Sequence, residues 1–279
     1  MTSDRVPPEF IANSLLLHAL MREMLEPVTR FELPESVESR IREIGAQLHG
    51  EPTKRALLRL KPSRPGAVDW LERLSRGFES THEGLAASHF HYQRVCEIEE
   101  QIRQVCESRA EAFRDFGSHG TFGFGSRPLS FEYAALTFAL RRTLDYLAIC
   151  IGSYFKTDSY SIRNAARAID GRLPSTARKR VQRRLRPEGL ISLIGDPSSN
   201  RRSVRDELAH YRAIDSGVFN VRWDHETDDL QIVLVGGGEN LPIFPEEPRD
   251  LSEVLADRLN TTEGLIFGCF RDIGLLLTS

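Results

Sequence analysis

Apolar residues recur along most of this chain at the three-to-four-residue spacing of amphipathic helices. Between Pro8 and Leu25 they fall at Phe10, Leu15, Leu17, Leu20, Met21, Met24 and Leu25, and Pro27 follows, where a helix cannot continue. The stretch from Pro34 to Leu48 opens on proline and has Gly50 just past its end, the asymmetry of a short helix. Pro62, Pro65 and Gly66 make Lys61 to Gly66 a loop. The pattern then predicts one helix over Ala67 to Phe78 and a separate long one over Thr81 to Phe116. Cys96, Ile98, Ile102, Val105 and Phe113 mark the inner side of the second. Gly117 to Pro128 sets four glycines among Ser, His and Pro, which breaks the pattern. The expected division therefore falls there, between an N-terminal helical region over 1–120 and a domain over 121–279.

From Phe131 to Phe155 the chain is apolar nearly all round, as befits the central helix of a bundle. Its polar exceptions are Arg141, Arg142 and Asp145. Thr176 to Leu185 reads as a short basic helix stopped before Pro187, and Asp196 to Asn200 as a polar loop. Ser203 opens a further helix, because Ser203-x-x-Asp206 is a capping box in acidic form. Val218 to Asp224 and Leu230 to Val235 alternate and are rich in β-formers, with turn-like residues between them and Gly236 to Gly238 after them. They predict a β-hairpin at about 218–236. Asp250 to Leu277 closes the chain as a long helix. The expected fold class is mainly α, an up-and-down helical bundle with a small inserted β-hairpin.

Composition adds the compartment. No stretch approaches 18 uncharged apolar residues, and Met1 to Pro8 lacks a basic segment followed by an apolar one, so neither a membrane span nor a signal peptide is expected. Cys96, Cys106, Cys150 and Cys269 are scattered, with no C-x-x-C, which fits free thiols in a reducing cytoplasm.

Charge changes the picture more. The net charge is -3, yet from Arg163 to Arg205 twelve basic residues meet three acids, Asp170, Glu188 and Asp196. Arg178, Lys179, Arg180, Arg183, Arg184, Arg201 and Arg202 form its densest parts. Such a block is an electrostatic footprint for phosphate. It is equally the pattern of a solvated face, or of an arginine seam against acids of the same protein.

Other chemistry is sparse. His82, His89, His91 and His119 lie near Cys96 and Glu97, but no metal-ligand spacing appears, so neither metal nor cofactor is expected. Gly120-x-x-Gly123-x-Gly125 follows no predicted strand and lacks the Lys-Ser/Thr of a phosphate loop.

The sharpest local feature is Arg205-Asp206-Glu207-Leu208-Ala209-His210-Tyr211. An apolar helix carrying Phe138-x-x-Arg141-Arg142-x-Leu144-Asp145-Tyr146-Leu147 precedes it, a basic linker joins the two, and a long helix follows. Over roughly residues 128 to 279 this arrangement resembles the HEPN-like helical domains, whose signature is Arg-x4-His. The resemblance implies a metal-independent endoribonuclease of toxin or anti-phage defence type. It implies that His210 assists attack of the RNA 2'-hydroxyl on the adjacent phosphate, and that Arg205 stabilises the charge developing there. Histidine titrates near neutrality, and guanidinium gives forked bonds to phosphate, so both residue types suit the task. Asp206, four residues before His210, shares its helix face and would orient the imidazole, besides capping the helix. Tyr211 joins the arginines as a candidate RNA contact.

The resemblance also admits a rival from another class, a non-catalytic module that binds RNA or a partner protein of a defence complex. At about 100° per residue, Arg205 and His210 stand about 140° apart on a regular helix. A homodimer whose motifs face one groove would bring them together. The expected partners are therefore RNA, a second copy of the chain, and an antitoxin or defence-system protein.

Overall fold

A computed structural model describes residues 31–60, 62, 69–108, 121–123, 127–170, 176–185, 219–224, 226–234 and 251–275. The chain divides between Pro34 and Glu35. From Glu35 onward the described residues are mainly helical: α1 (Glu35–Leu48), α2 (Glu51–Arg59), α3 (Trp70–Glu107), α4 (Arg127–Tyr154), α5 (Ile162–Ala168), α6 (Thr176–Arg184) and α7 (Leu251–Asp272). Three short strands accompany them, β1 (Thr121–Gly123), β2 (Phe219–Asp224) and β3 (Asp229–Leu234), in the antiparallel order β1-β2-β3. Phe219 pairs with Leu234 and Asp224 with Asp229, while Thr121 pairs with Arg222. Asp228, in the turn between β2 and β3, has φ 53°, a left-handed conformation that Asp tolerates better than most residues. No described helix is long and apolar enough to cross a membrane.

The core is the antiparallel pair α3–α4. On α4, Leu129, Tyr133, Leu136, Leu140, Leu144, Leu147 and Ile151 are buried at steps of three and four residues. On α3 the inner line is Trp70, Leu74, Thr81, Leu85, Ser88 and Val95, with two glycines where α4 comes closest. A Cβ on Gly77 would meet the backbone of Cys150 at 3.2 Å, and one on Gly84 would meet Thr143 Oγ1 at 2.5 Å. α7 covers this pair with Leu255, Leu259, Ile266 and Phe270, and Arg258 donates to the buried Tyr133 hydroxyl at 3.1 Å. α1 adds Val37, Ile41, Ile44 and Leu48.

Two helices expected over Ala67 to Phe78 and Thr81 to Phe116 are one. α3 runs unbroken through Glu79 and Ser80, starts at Trp70 and ends at Glu107. Asp69 starts it, its Oδ1 accepting from Leu71 N at 3.0 Å and Glu72 N at 2.9 Å. Hydroxyls along it bond back to the backbone of the same helix, Thr81 to Gly77 O at 2.7 Å and Ser88 to Gly84 O at 2.8 Å. α3 and α4 flank the glycine-rich stretch at which the sequence suggests a boundary, and both lie in the unit that begins at Glu35. α7 stops at Asp272, short of Leu277. The expected helix over Pro8 to Leu25 lies outside the described residues.

The polar exceptions Arg141 and Asp145 of α4 are structural. Arg141 Nε lies 3.4 Å from Asp145, and Asp145 Oδ1 accepts the backbone N–H of Ile162 at 3.1 Å, in the first turn of α5. Two α3 histidines clamp neighbouring helices: His89 Nε2 is 2.6 Å from Glu263 on α7, and His91 Nδ1 is 2.7 Å from Glu132 on α4.

Candidate nucleic-acid interface

Arg201, Arg202, Arg205, Asp206, His210 and Tyr211 lie outside the described residues. The basic helix α6 lies within them and carries the other five candidates, Arg178, Lys179, Arg180, Arg183 and Arg184. The sequence here offers two apolar anchors, Val181 and Leu185, one turn apart, and both are buried. The charged side chains of this nine-residue helix are then turned toward a neighbour or toward water.

The arginines divide between those two fates. Arg184 Nε donates to Asp272 Oδ2 of α7 at 2.8 Å, and its side chain lies across Gly268, where a Cβ would stand 2.5 Å from the guanidinium carbon. Glycine at 268 is what lets the guanidinium reach Asp272. The bond to Asp272 raises the Arg184 pKa above its ordinary value, against a smaller opposing effect of burial. Arg180 Nε stands 3.5 Å from the other carboxylate oxygen, as an ion pair rather than a hydrogen bond. Its side chain remains half exposed, whereas Asp272 is only 8 % exposed. On the far side, Gln182 Nε2 donates to Ala166 O at 3.0 Å and ties α6 to α5. Arg178 is half-buried, with its Nε shielded and without a hydrogen-bond partner among the described residues.

Lys179 and Arg183 remain. They stand four residues apart, on one face, both are exposed, and neither forms an ion pair among the described residues. The five-residue basic block is thus two things at once. Arg184 belongs to the arginine seam against an acid of the same protein. Lys179 and Arg183 form a solvent-facing cationic strip, with Arg180 between the two.

Asp272 is the residue that sequence reasoning missed. A signal existed: it occupies the last turn of α7, where the helix dipole disfavours an acid, and an acid in that place asks for a cationic partner. Close to the pair lies Cys269, with Cys150 beside it in turn, and both are buried. Burial pushes the Cys269 thiol up to about 12 and raises that of Cys150 as well. Among the described residues no group of His, Cys, Asp and Glu is arranged to hold a metal ion. No protein-family model, curated protein or solved structure matches this chain.

Proposed function

We propose that this chain acts on RNA as a metal-independent endoribonuclease of toxin or anti-phage defence type, built on a HEPN-like bundle. The single observation that carries the reading is the cationic strip of α6. Lys179 and Arg183 face water without an acidic partner among the described residues, while Arg184 and Asp272 hold the helix that presents them. Exposed, unpaired cations on an anchored helix suit the successive phosphates of a nucleic-acid strand. In this reading the strip holds RNA, and the Arg205–His210 motif, about twenty residues further along, supplies the chemistry. His210 moves the proton of the 2'-hydroxyl, Arg205 steadies the phosphate, and Asp206 orients the imidazole. The protein works as a cytoplasmic homodimer, whose paired motifs complete one cleft, and an antitoxin or defence-system partner restrains it.

Incubation of the purified chain with a mixed RNA in the presence of EDTA tests this directly. Cleavage is expected, with products ending in 2',3'-cyclic phosphate, and His210→Ala and Arg205→Ala should each abolish it without loss of helicity. Tight, salt-sensitive RNA binding with no cleavage by the wild type would select the non-catalytic RNA-binding module instead. Wild-type activity in the His210→Ala protein would remove the catalytic assignment.

A further inference from the structure

The helix α4 carries a second stripe besides the one it buries. Phe131, Ala135, Phe138, Arg142 and Tyr146 follow one another at steps of four, three, four and four residues, and point away from the core. Phe131 is 69 % exposed. Where this stripe meets α3, a groove of about 480 Å³ opens along the seam. Its floor is made of Gly84, Ala87, Ala135 and Ala139, side chains that end at or before Cβ. Its walls are Phe138 and Tyr146 on α4 and His91 on α3, the last pinned by Glu132.

Two charges stand at the rim. Arg142 Nε donates to the Tyr146 hydroxyl at 2.5 Å, and its guanidinium carbon lies 5.2 Å from the centre of that ring. Arg142 forms no ion pair among the described residues, and neither does Glu83 on α3. The groove therefore presents a fixed cation, an anion on the other helix, aromatic walls and a floor low enough for a helix backbone to approach.

We infer that this groove docks one amphipathic helix of a partner protein, with apolar residues at i, i+3 or i+4, and i+7 on the floor, an acid opposite Arg142 and a base opposite Glu83. Along α4 the groove runs from Ala135 to Tyr146, about 16 Å at 1.5 Å per residue, the length of a three-turn helix. Helix-in-groove recognition uses such anchors and such a length. The opposite signs at the rim set the direction in which the helix lies. A second copy of this chain is the poorer fit, because it offers another groove where a ridge is needed. The inference stands independently of the RNA reading, since α6 contributes nothing to the groove.

A displayed library of helical peptides of about 16 residues, selected on the full chain, tests it. Enrichment of the stated apolar spacing is expected, with Asp or Glu at the position facing Arg142 and Lys or Arg at that facing Glu83. Ala139→Trp fills the floor and should cost the selected peptides about tenfold or more in affinity, or roughly 1.4 kcal/mol. Arg142→Glu, on the exposed rim, should cost a similar factor and be rescued when the peptide acid is changed to Lys. Circular dichroism confirms that each variant is folded, and Arg142→Glu decides if Ala139→Trp is not. Failure of the library to enrich, or peptides indifferent to both variants, would overturn the inference. So would a dimer of the chain, seen by mass in solution, that Ala139→Trp dissociates, because the occupant would then be the second copy.

Discussion

Arg184 Nε lies 2.8 Å from Asp272 Oδ2, and this pair joins the basic helix to the helix α7. Asp272 is nearly buried, Arg184 is partly open to water, and Arg180 approaches the same carboxylate from the exposed side. Among the described residues, Asp272 is the acid that neutralises positive charge of α6.

Removing that acid leaves two guanidinium groups beside a buried gap. Asp272→Ala is expected to lower stability by about 0.5–1.5 kcal/mol, the net worth of a hydrogen bond, because the two guanidinium groups left behind can still reach water. Asp272→Asn keeps an acceptor and should cost less. Urea unfolding of the three proteins measures this, and an unchanged midpoint for Asp272→Ala would mean that the pair contributes nothing net.

Binding and stability should separate along α6. Lys179→Glu with Arg183→Glu alters two exposed side chains and should leave the thermal midpoint nearly unchanged, as exposed substitutions do. The same change should weaken RNA binding for all sequences alike. It should also flatten the plot of log affinity against log salt, by about 0.7–0.9 for each phosphate that is no longer neutralised. Arg184→Gln should do the reverse, lowering the midpoint while the salt slope holds. RNA affinity that tracks Arg184 and ignores Lys179 and Arg183 would place the interface elsewhere.

Alkaline pH should destabilise the fold through its buried thiols. Cys269 keeps its proton to about pH 12 in the folded chain, because burial penalises the thiolate, against 9.0 for an ordinary thiol. Below pH 9 both states are protonated and the contribution is complete. Between pH 9 and 12 the unfolded chain releases a proton that the folded chain retains, so stability falls by up to about 1.4 kcal/mol per pH unit for each such thiol. Cys150, raised by the same cause, acts in the same direction. Denaturation midpoints measured from about pH 8 to about pH 11 should decline, and more gently in Cys269→Ala compared with its own value at the lower pH. Near pH 8, a thiol reagent should reach Cys150 and Cys269 only on unfolding. Prompt native-state labelling of either would contradict their burial.

The helices are legible in the sequence where one apolar face dominates. α4 begins at Arg127, before the expected Phe131, and α7 ends at Asp272, before the expected Leu277, but both keep their apolar faces, and α1 starts within a residue of the position that Pro34 suggests. α3 reads as two helices because Gly77, Ser80, Thr81 and Gly84 carry the composition of a break. The smallness of the two glycines serves packing instead, since α4 passes too close for anything larger at Gly77 and Gly84. α2 and α5 escape such a reading because nine and seven residues give too few turns for an apolar period to show, and neither has the run of basic residues that marks the equally short α6. In the basic segment the number of charges is legible, and their division is not. Which arginine finds an acid depends on Asp272, 88 residues from Arg184 in sequence, and only the packing of α6 on α7 brings the two together.

The glycines supply a last test, because the same substitution should have opposite signs at two places. Gly84→Ala puts a methyl group 2.5 Å from Thr143 Oγ1 and 3.2 Å from Thr143 Cα. The hydroxyl can turn, but the backbone behind it must move, so α3 and α4 have to separate along the core seam. Overpacking of this kind costs about 1–3 kcal/mol. Gly77→Ala, facing the Cys150 backbone at 3.2 Å, should follow in the same direction with a smaller loss. Gly264 lies within α7 with nothing inside 4 Å of its notional Cβ. There, alanine meets no neighbour and removes the entropy that a helical glycine surrenders on folding. Gly264→Ala should therefore stabilise the protein by about 0.5–1 kcal/mol. Thermal or urea midpoints for the three variants decide the matter. A destabilised Gly264→Ala, or a Gly84→Ala protein as stable as the wild type, would show that the seam is not packed as described.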